Sequence, residues 1–260
     1  MKVLIINLKL VKNWNMAVKV IKDYYVKRKP KLMKNFSKAL EVARELLKRH
    51  FNEAKVDEMF SQMKSEYEKI IPEIPYIGGT KNPFTSLLVN GISSLAIFRI
   101  LEKESFTIRD IGEFYYELRD IHNTIRKKSL KKIGKDPAQY PFELAYVEWA
   151  KNVCETSKLR NYPDDWVADY IEGDGKTFEW GFDFYECGIH KTLKRLDAEK
   201  YVYLFCLADF SEANVLGFGF SRTQSIGFGA PMCDHRYVQN YKTPKGWPPD
   251  DLPEYKSKIP

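Results

Sequence analysis

Between residues 36 and 67 the apolar positions Phe36, Leu40, Ala43, Leu47 and Phe51 recur at three- and four-residue steps, and Met59, Met63 and Tyr67 continue the series. That period predicts one amphipathic helix with Glu45 and Arg49 paired on its wet face. Pro72 and Pro75 end it, and Gly78-Gly79 supplies a turn. A second helix is predicted to follow, with Asn82 as its cap and Pro83 in its first turn, where a missing N–H costs nothing. Leu88, Ile92, Leu95 and Phe98 form its apolar stripe. A third starts at Thr107, with Asp110 three residues on as a capping-box partner and Ile108, Ile111, Tyr115 and Leu118 on one face. The first 125 residues therefore read as mostly helical.

Residues 126–141 are polar and basic, end in Pro137 and Pro141, and read as a connector. Beyond them the period changes from helical to alternating. Phe178, Trp180, Phe182 and Phe184 alternate with more polar neighbours, so residues 177–186 are predicted to be a strand with one buried aromatic face. Residues 187–196 and 198–213 read as helices, 216–220 and 223–228 as short strands, and 232–238 as a last strand. Five prolines in the final twenty residues make the tail an irregular extension. The fold class is α+β, with an N-terminal helical part packed on a C-terminal small antiparallel sheet with helices. The predicted organisation is a basic N-terminal arm over 1–35, a single domain over 36–240 and a Pro-rich extension over 241–260. Within the domain a helical lobe covers 36–125 and a mixed α/β lobe covers 142–240.

Composition removes several alternatives. With 260 residues, 44% of them hydrophobic and 14% aromatic, the chain can bury a substantial core, which excludes general disorder. The apolar run at residues 3–8 is too short to span a bilayer and has no small-residue cleavage site after it, so a soluble cytoplasmic protein without a membrane partner is expected. Four cysteines in a chain this long suggest free thiols or thiolate ligands rather than a disulfide framework. The net charge of +7 is uneven. Residues 1–50 carry fourteen Lys/Arg against three acids, and residues 141–260 carry fourteen against nineteen. Such an arm suits phosphate contacts, but no aromatic-basic stripe, zinc-finger spacing or helix-turn-helix signature accompanies it. It reads as a solvated helix face, as do the surroundings of His50 and His122. The expected partner is a small molecule rather than nucleic acid, and a homo-oligomer is open.

The chemistry-bearing residues gather late in the chain: Cys187, His190, Cys206, Asp209, Arg222, Cys233, Asp234, His235 and Arg236. The runs Pro75-Tyr76-Ile77-Gly78-Gly79, Asn82-Pro83-Phe84-Thr85, Cys206-Leu207-Ala208-Asp209, Arg222-Thr223-Gln224-Ser225-Ile226 and Gly229 through Tyr237, with Cys187 between the second and third, are in a specific order. In that order and spacing the chain resembles the L-2-amino-thiazoline-4-carboxylic acid hydrolase family over roughly residues 36–238. One position departs from the family's usual pattern, with His235 where phenylalanine stands between the Asp and the Arg of the ending. The resemblance implies a hydrolase that opens a cyclic amidine-like C–N substrate bearing a carboxylate and gives a carbamoyl product.

Such a reaction needs a nucleophile, a proton carrier and a cation for the carboxylate. Cys233 is the candidate nucleophile, since cations beside a thiol lower its pKa from about 8.5. Asp209 and Asp234 are the candidate acid/base groups, Arg222 and Arg236 the anion binders, and Asn82 and His235 further substrate contacts. Alternation along the last strand puts Cys233, His235 and Tyr237 on one face and Asp234 and Arg236 on the other, so all five cannot enter one pocket unless the strand bulges. A second reading makes Cys187, His190, Cys206 and Cys233 a Cys3His zinc site, with Asp209 as a substitute for His190. Zinc is thus the one cofactor the residues suggest, and an open zinc position would activate water. The competing function is a small-molecule- or metal-sensing module that binds without turnover.

Overall fold

Asn52 divides the long apolar series near the N-terminus. Its side chain accepts a hydrogen bond from the Lys55 backbone N–H at 2.9 Å, as a helix N-cap does. The single helix expected over 36–67 is therefore two: α1 (Lys29–Leu47) and α2 (Glu53–Ile70). The computed structural model describes residues 23–255. Most of the basic arm expected over 1–35 lies outside them, and its last residues form the first turns of α1.

Three further helices complete the helical part: α3 (Thr85–Lys103), α4 (Ile108–Lys132) and α5 (Leu144–Lys158). By length and composition α3 could cross a membrane. Leu88, Ile92, Leu95 and Phe98 are fully buried along it, so its apolarity serves the core. The Thr107–Asp110 capping box forms as expected. From there α4 runs through the first part of the expected 126–141 connector. Arg126 ion-pairs with Glu212, and Lys127 donates to the Val215 carbonyl at 2.6 Å, so the basic residues read as a boundary tie α4 to a later helix.

The remaining elements are β1 (Val167–Glu172), β2 (Trp180–Glu186), α6 (Gly188–Arg195), α7 (Val202–Leu216), β3 (Gly219–Ser221) and β4 (Cys233–Val238). The sheet has the order β1-β2-β4-β3 with every neighbouring pair antiparallel, which makes the protein α+β as the residue pattern predicts. Its register sets Phe182 opposite His235, Phe184 opposite Cys233, and Trp180 opposite Tyr237. Directly opposed residues share a face, so the aromatic stripe of β2 and the Cys233/His235/Tyr237 stripe of β4 form one inward wall. Helix α7, apolar over most of its circumference, packs against α4, α6 and β3.

Two of the expected short strands differ. The segment 216–220 begins inside α7, whose end is set by Gly217 at φ 97°, and only Gly219–Ser221 is a strand. The segment 223–228 is not a strand. Asp234 accepts from the Thr223 and Gln224 N–H groups, Ser225 accepts from the Gly227 N–H, and residues 226–228 form a 3-10 turn. Side-chain acceptors here take the backbone donors that a ladder would need.

The proline-rich tail is built into the core. Thr243 accepts from the Phe220 N–H at 2.8 Å, Leu252 is 1% exposed, and Trp247 lies over Gly112 of α4. A Cβ at Gly112 would stand 2.1 Å from the Trp247 ring. Gly112→Ala is therefore expected to lower unfolding free energy by about 1–3 kcal/mol through overpacking, read by urea denaturation. An unchanged midpoint would mean that the tail does not bear on α4 in solution.

Candidate active site

Arg222 follows directly on β3, and its side chain is only 1% exposed. A guanidinium has five N–H donors and no acceptor, so burial demands an acceptor for each. All five are met. Nε and Nη2 donate to the Glu254 carboxylate at 2.5 and 2.7 Å, and Nη2 also donates to the Cys206 carbonyl at 2.9 Å. Nη1 donates to Asp209 Oδ2 at 2.8 Å and to His235 Nε2 at 3.2 Å. Glu254 has no exposed side-chain surface. It comes from the tail, so the tail supplies the main counter-charge of the site.

Beside Arg222 lies a chamber of about 110 Å3. Its reactive lining is Cys187, Cys206, Asp209, Cys233 and His235, and Phe84, Trp166 and Phe184 are among its apolar walls. An apolar cavity of about 150 Å3 admits a benzene ring, so this space is on the scale of one small ring. Cys187 sits at the start of α6, Cys206 and Asp209 one turn apart on α7, and Cys233 and His235 on the inward face of β4. Leu87, Ile189, Phe205 and Asp209 also line a larger groove of about 520 Å3 bordered by α3 and α4, so chamber and groove adjoin at Asp209.

The apolar setting decides the charge states. Burial pushes the thiols of Cys187 and Cys206 up to about 12 and that of Cys233 up to about 11, so all three are neutral near pH 7. The Cys233 sulfur accepts from the Ile226 N–H at 3.2 Å. Burial, and then the Arg222 and Arg236 cations, holds His235 well below the usual imidazole range. It is neutral, and its Nε2 lone pair faces Arg222. Burial raises Asp209 from 3.8 to about 6, with Arg222 opposing. Its side chain keeps 40% exposure on the groove wall, so a substrate or water can reach the carboxylate. A raised folded-state pKa means that the stability tied to this group is fully present below pH 3.8 and is lost as pH rises through about 6.

Other sequence candidates fall elsewhere. Asp234 and Arg236 occupy the opposite face of β4. Asp234 clamps the Thr223–Gln224 turn, and Arg236 lies 2.8 Å from Asp183 and over the Phe178 ring. The strand does not bulge to bring them in. Asn82 does not cap α3, which starts at Thr85. It accepts from the Phe84 N–H and donates to Ile77 O and Asp165 beside a separate 170 Å3 cleft. His190 points to Glu199 at 2.7 Å on the surface. That removes it from the proposed Cys3His set, although Cys187, Cys206 and Cys233 do share the chamber. Among the described residues no group of three or more His, Cys, Asp and Glu side chains is placed to hold a metal ion.

Sequence reasoning missed Glu254 altogether; its only signal was a carboxylate two residues after Leu252 in a tail otherwise read as irregular. Removing one partner of a buried ion pair leaves the other charge uncompensated. Glu254→Ala is expected to destabilise the fold by about 3–5 kcal/mol in chemical denaturation. A loss under about 1 kcal/mol would show that the Arg222 charge is satisfied without the tail.

A family model described as L-2-amino-thiazoline-4-carboxylic acid hydrolase matches residues 94–237, more than half of the chain. No curated protein and no solved structure matches it. The matched stretch contains Cys187, Cys206, Asp209, Arg222, Cys233 and His235, and leaves Asn82 and Glu254 outside. By its sequence over that stretch, the chain belongs to the L-2-amino-thiazoline-4-carboxylic acid hydrolase family.

Proposed function

We propose that the protein hydrolyses a small cyclic amidine-like compound bearing a carboxylate, and that Asp209 rather than a cysteine drives the reaction by activating water. The observation that carries this reading is the position of Asp209. It is the chamber group whose pKa, raised to about 6, lies closest to neutrality, and it faces the groove by which a substrate would enter. A general base works best with a pKa near the operating pH.

The proton path follows from that role. Water adds its oxygen to the carbon between the ring heteroatoms while Asp209 takes one proton and passes it to the ring nitrogen. The new hydroxyl then loses its proton to Asp209 as the carbonyl forms, the ring bond to the departing heteroatom breaks, and Asp209 returns the proton to that atom. Arg222 holds Asp209 in place through Nη1. It has no free donor for a substrate carboxylate, and Arg236 lies outside the chamber, so neither supplies the carboxylate contact expected of them. The thiols serve as small neutral wall groups, since direct attack by Cys233 would first need a proton removed from a group near 11.

Two outcomes test this. Mass spectrometry against a panel of thiazolines, cyclic amidines and ureido acids is expected to detect a carbamoyl product, with kcat/KM rising as pH increases through about 6. Asp209→Asn should lose about 100-fold or more and abolish that limb. Saturable binding with no product from any compound would replace turnover by a sensing role. Cys233→Ser is expected to keep activity within about tenfold. A loss of a thousandfold or more with the fold intact would make the thiol the nucleophile.

A further inference from the structure

We propose that Arg119 is the carboxylate receptor of the outer groove, holding the acid group of a small ring while the carbon to be hydrolysed sits beside Asp209. The proposal takes its substrate class from the hydrolase reading above and adds the residue that recognises the carboxylate.

Position comes first. Tyr115 and Arg119 are four residues apart on α4 and share a face, about one 5.4 Å turn from each other. The Tyr115 ring packs 5.4 Å from Phe205, which lines both groove and chamber. Arg119 therefore stands one helical turn from Tyr115, which packs against Phe205 at the chamber mouth. Arg119 and Asp209 line the same groove, so the long arginine side chain can meet the carboxylate of a small ring seated beside Asp209.

Chemistry then separates Arg119 from its neighbours. The groove wall also presents Arg126 and His122. Arg126 is neutralised by Glu212. His122, read from sequence as solvated, is part of this wall, and burial, then the Arg119 charge, lowers its pKa. Arg119 makes no hydrogen bond or ion pair among the described residues, and its Nε is buried with no acceptor. Natural proteins rarely leave a buried N–H unpaired, because its lost hydration is not returned. A carboxylate suits this guanidinium best, since the fork of N–H donors matches its two oxygens.

The test uses the full chain carrying Asp209→Asn to prevent turnover, titrated calorimetrically with L-2-amino-thiazoline-4-carboxylate and with its 4-carboxamide. The acid should bind about 10- to 100-fold more tightly than the amide. Adding Arg119→Gln should erase that preference, and Arg119→Lys, which keeps the charge but not the fork, should restore part of it. Melting curves check that each variant is folded, and the lysine form serves if the glutamine form is not. Preference for the acid that survives Arg119→Gln, or no binding of either compound at millimolar concentration, would overturn the proposal. With Asp209 intact, turnover whose KM ignores Arg119→Gln would reject this site and keep the hydrolase reading. Arg119-dependent binding of the acid without any product would do the reverse.

Discussion

The guanidinium of Arg222 is the constraint on which the site depends. A charge taken out of water costs several kcal/mol unless matched, and here every N–H has a partner. Those partners come from α7, β4 and the tail. One residue thus fastens helix, sheet and C-terminal segment to each other and sets the place of Asp209. Full saturation leaves Arg222 no free N–H beyond these partners.

Around that ion pair the protein is largely apolar and aromatic. His235 lies edge-on to Phe184 and Phe220, each about 5 Å from it, and the Arg222 guanidinium faces Phe210 and Phe220. Low polarity acts on each ionisable group according to its charged form: it keeps thiols and imidazole neutral and lifts a carboxyl toward neutrality. Three cysteines in one pocket suggest thiolate chemistry or metal when read as residue types. In this medium burial keeps all three thiols protonated, and the carboxyl at the boundary with the groove is the one lifted toward neutrality.

Much of the fold was legible because it rests on short-range rules. The Thr107–Asp110 box started a helix where expected, the alternating aromatics of residues 178–184 marked the inward face of β2, and alternation along residues 232–238 sorted Cys233 and His235 from Asp234 and Arg236. Where reading failed, a single local acceptor had decided the outcome. Asn52 split one apolar series into two helices, and Asp234 with Ser225 turned a strand-like run into a clamp. β1 was missed, and the tail was misjudged because proline excludes regular structure without excluding burial.

The order of residue types along the chain determined the helical and alternating segments, the kinship, and the set of thiols, acids and arginines from which any site had to be made. Only the tertiary structure decided which of them meet, because that depends on distant contacts. Glu254 reaches Arg222 across 32 positions, and Asp209 reaches it from another element. It also decided their protonation, since a pKa is set by the surroundings into which a side chain is folded and not by its neighbours in sequence.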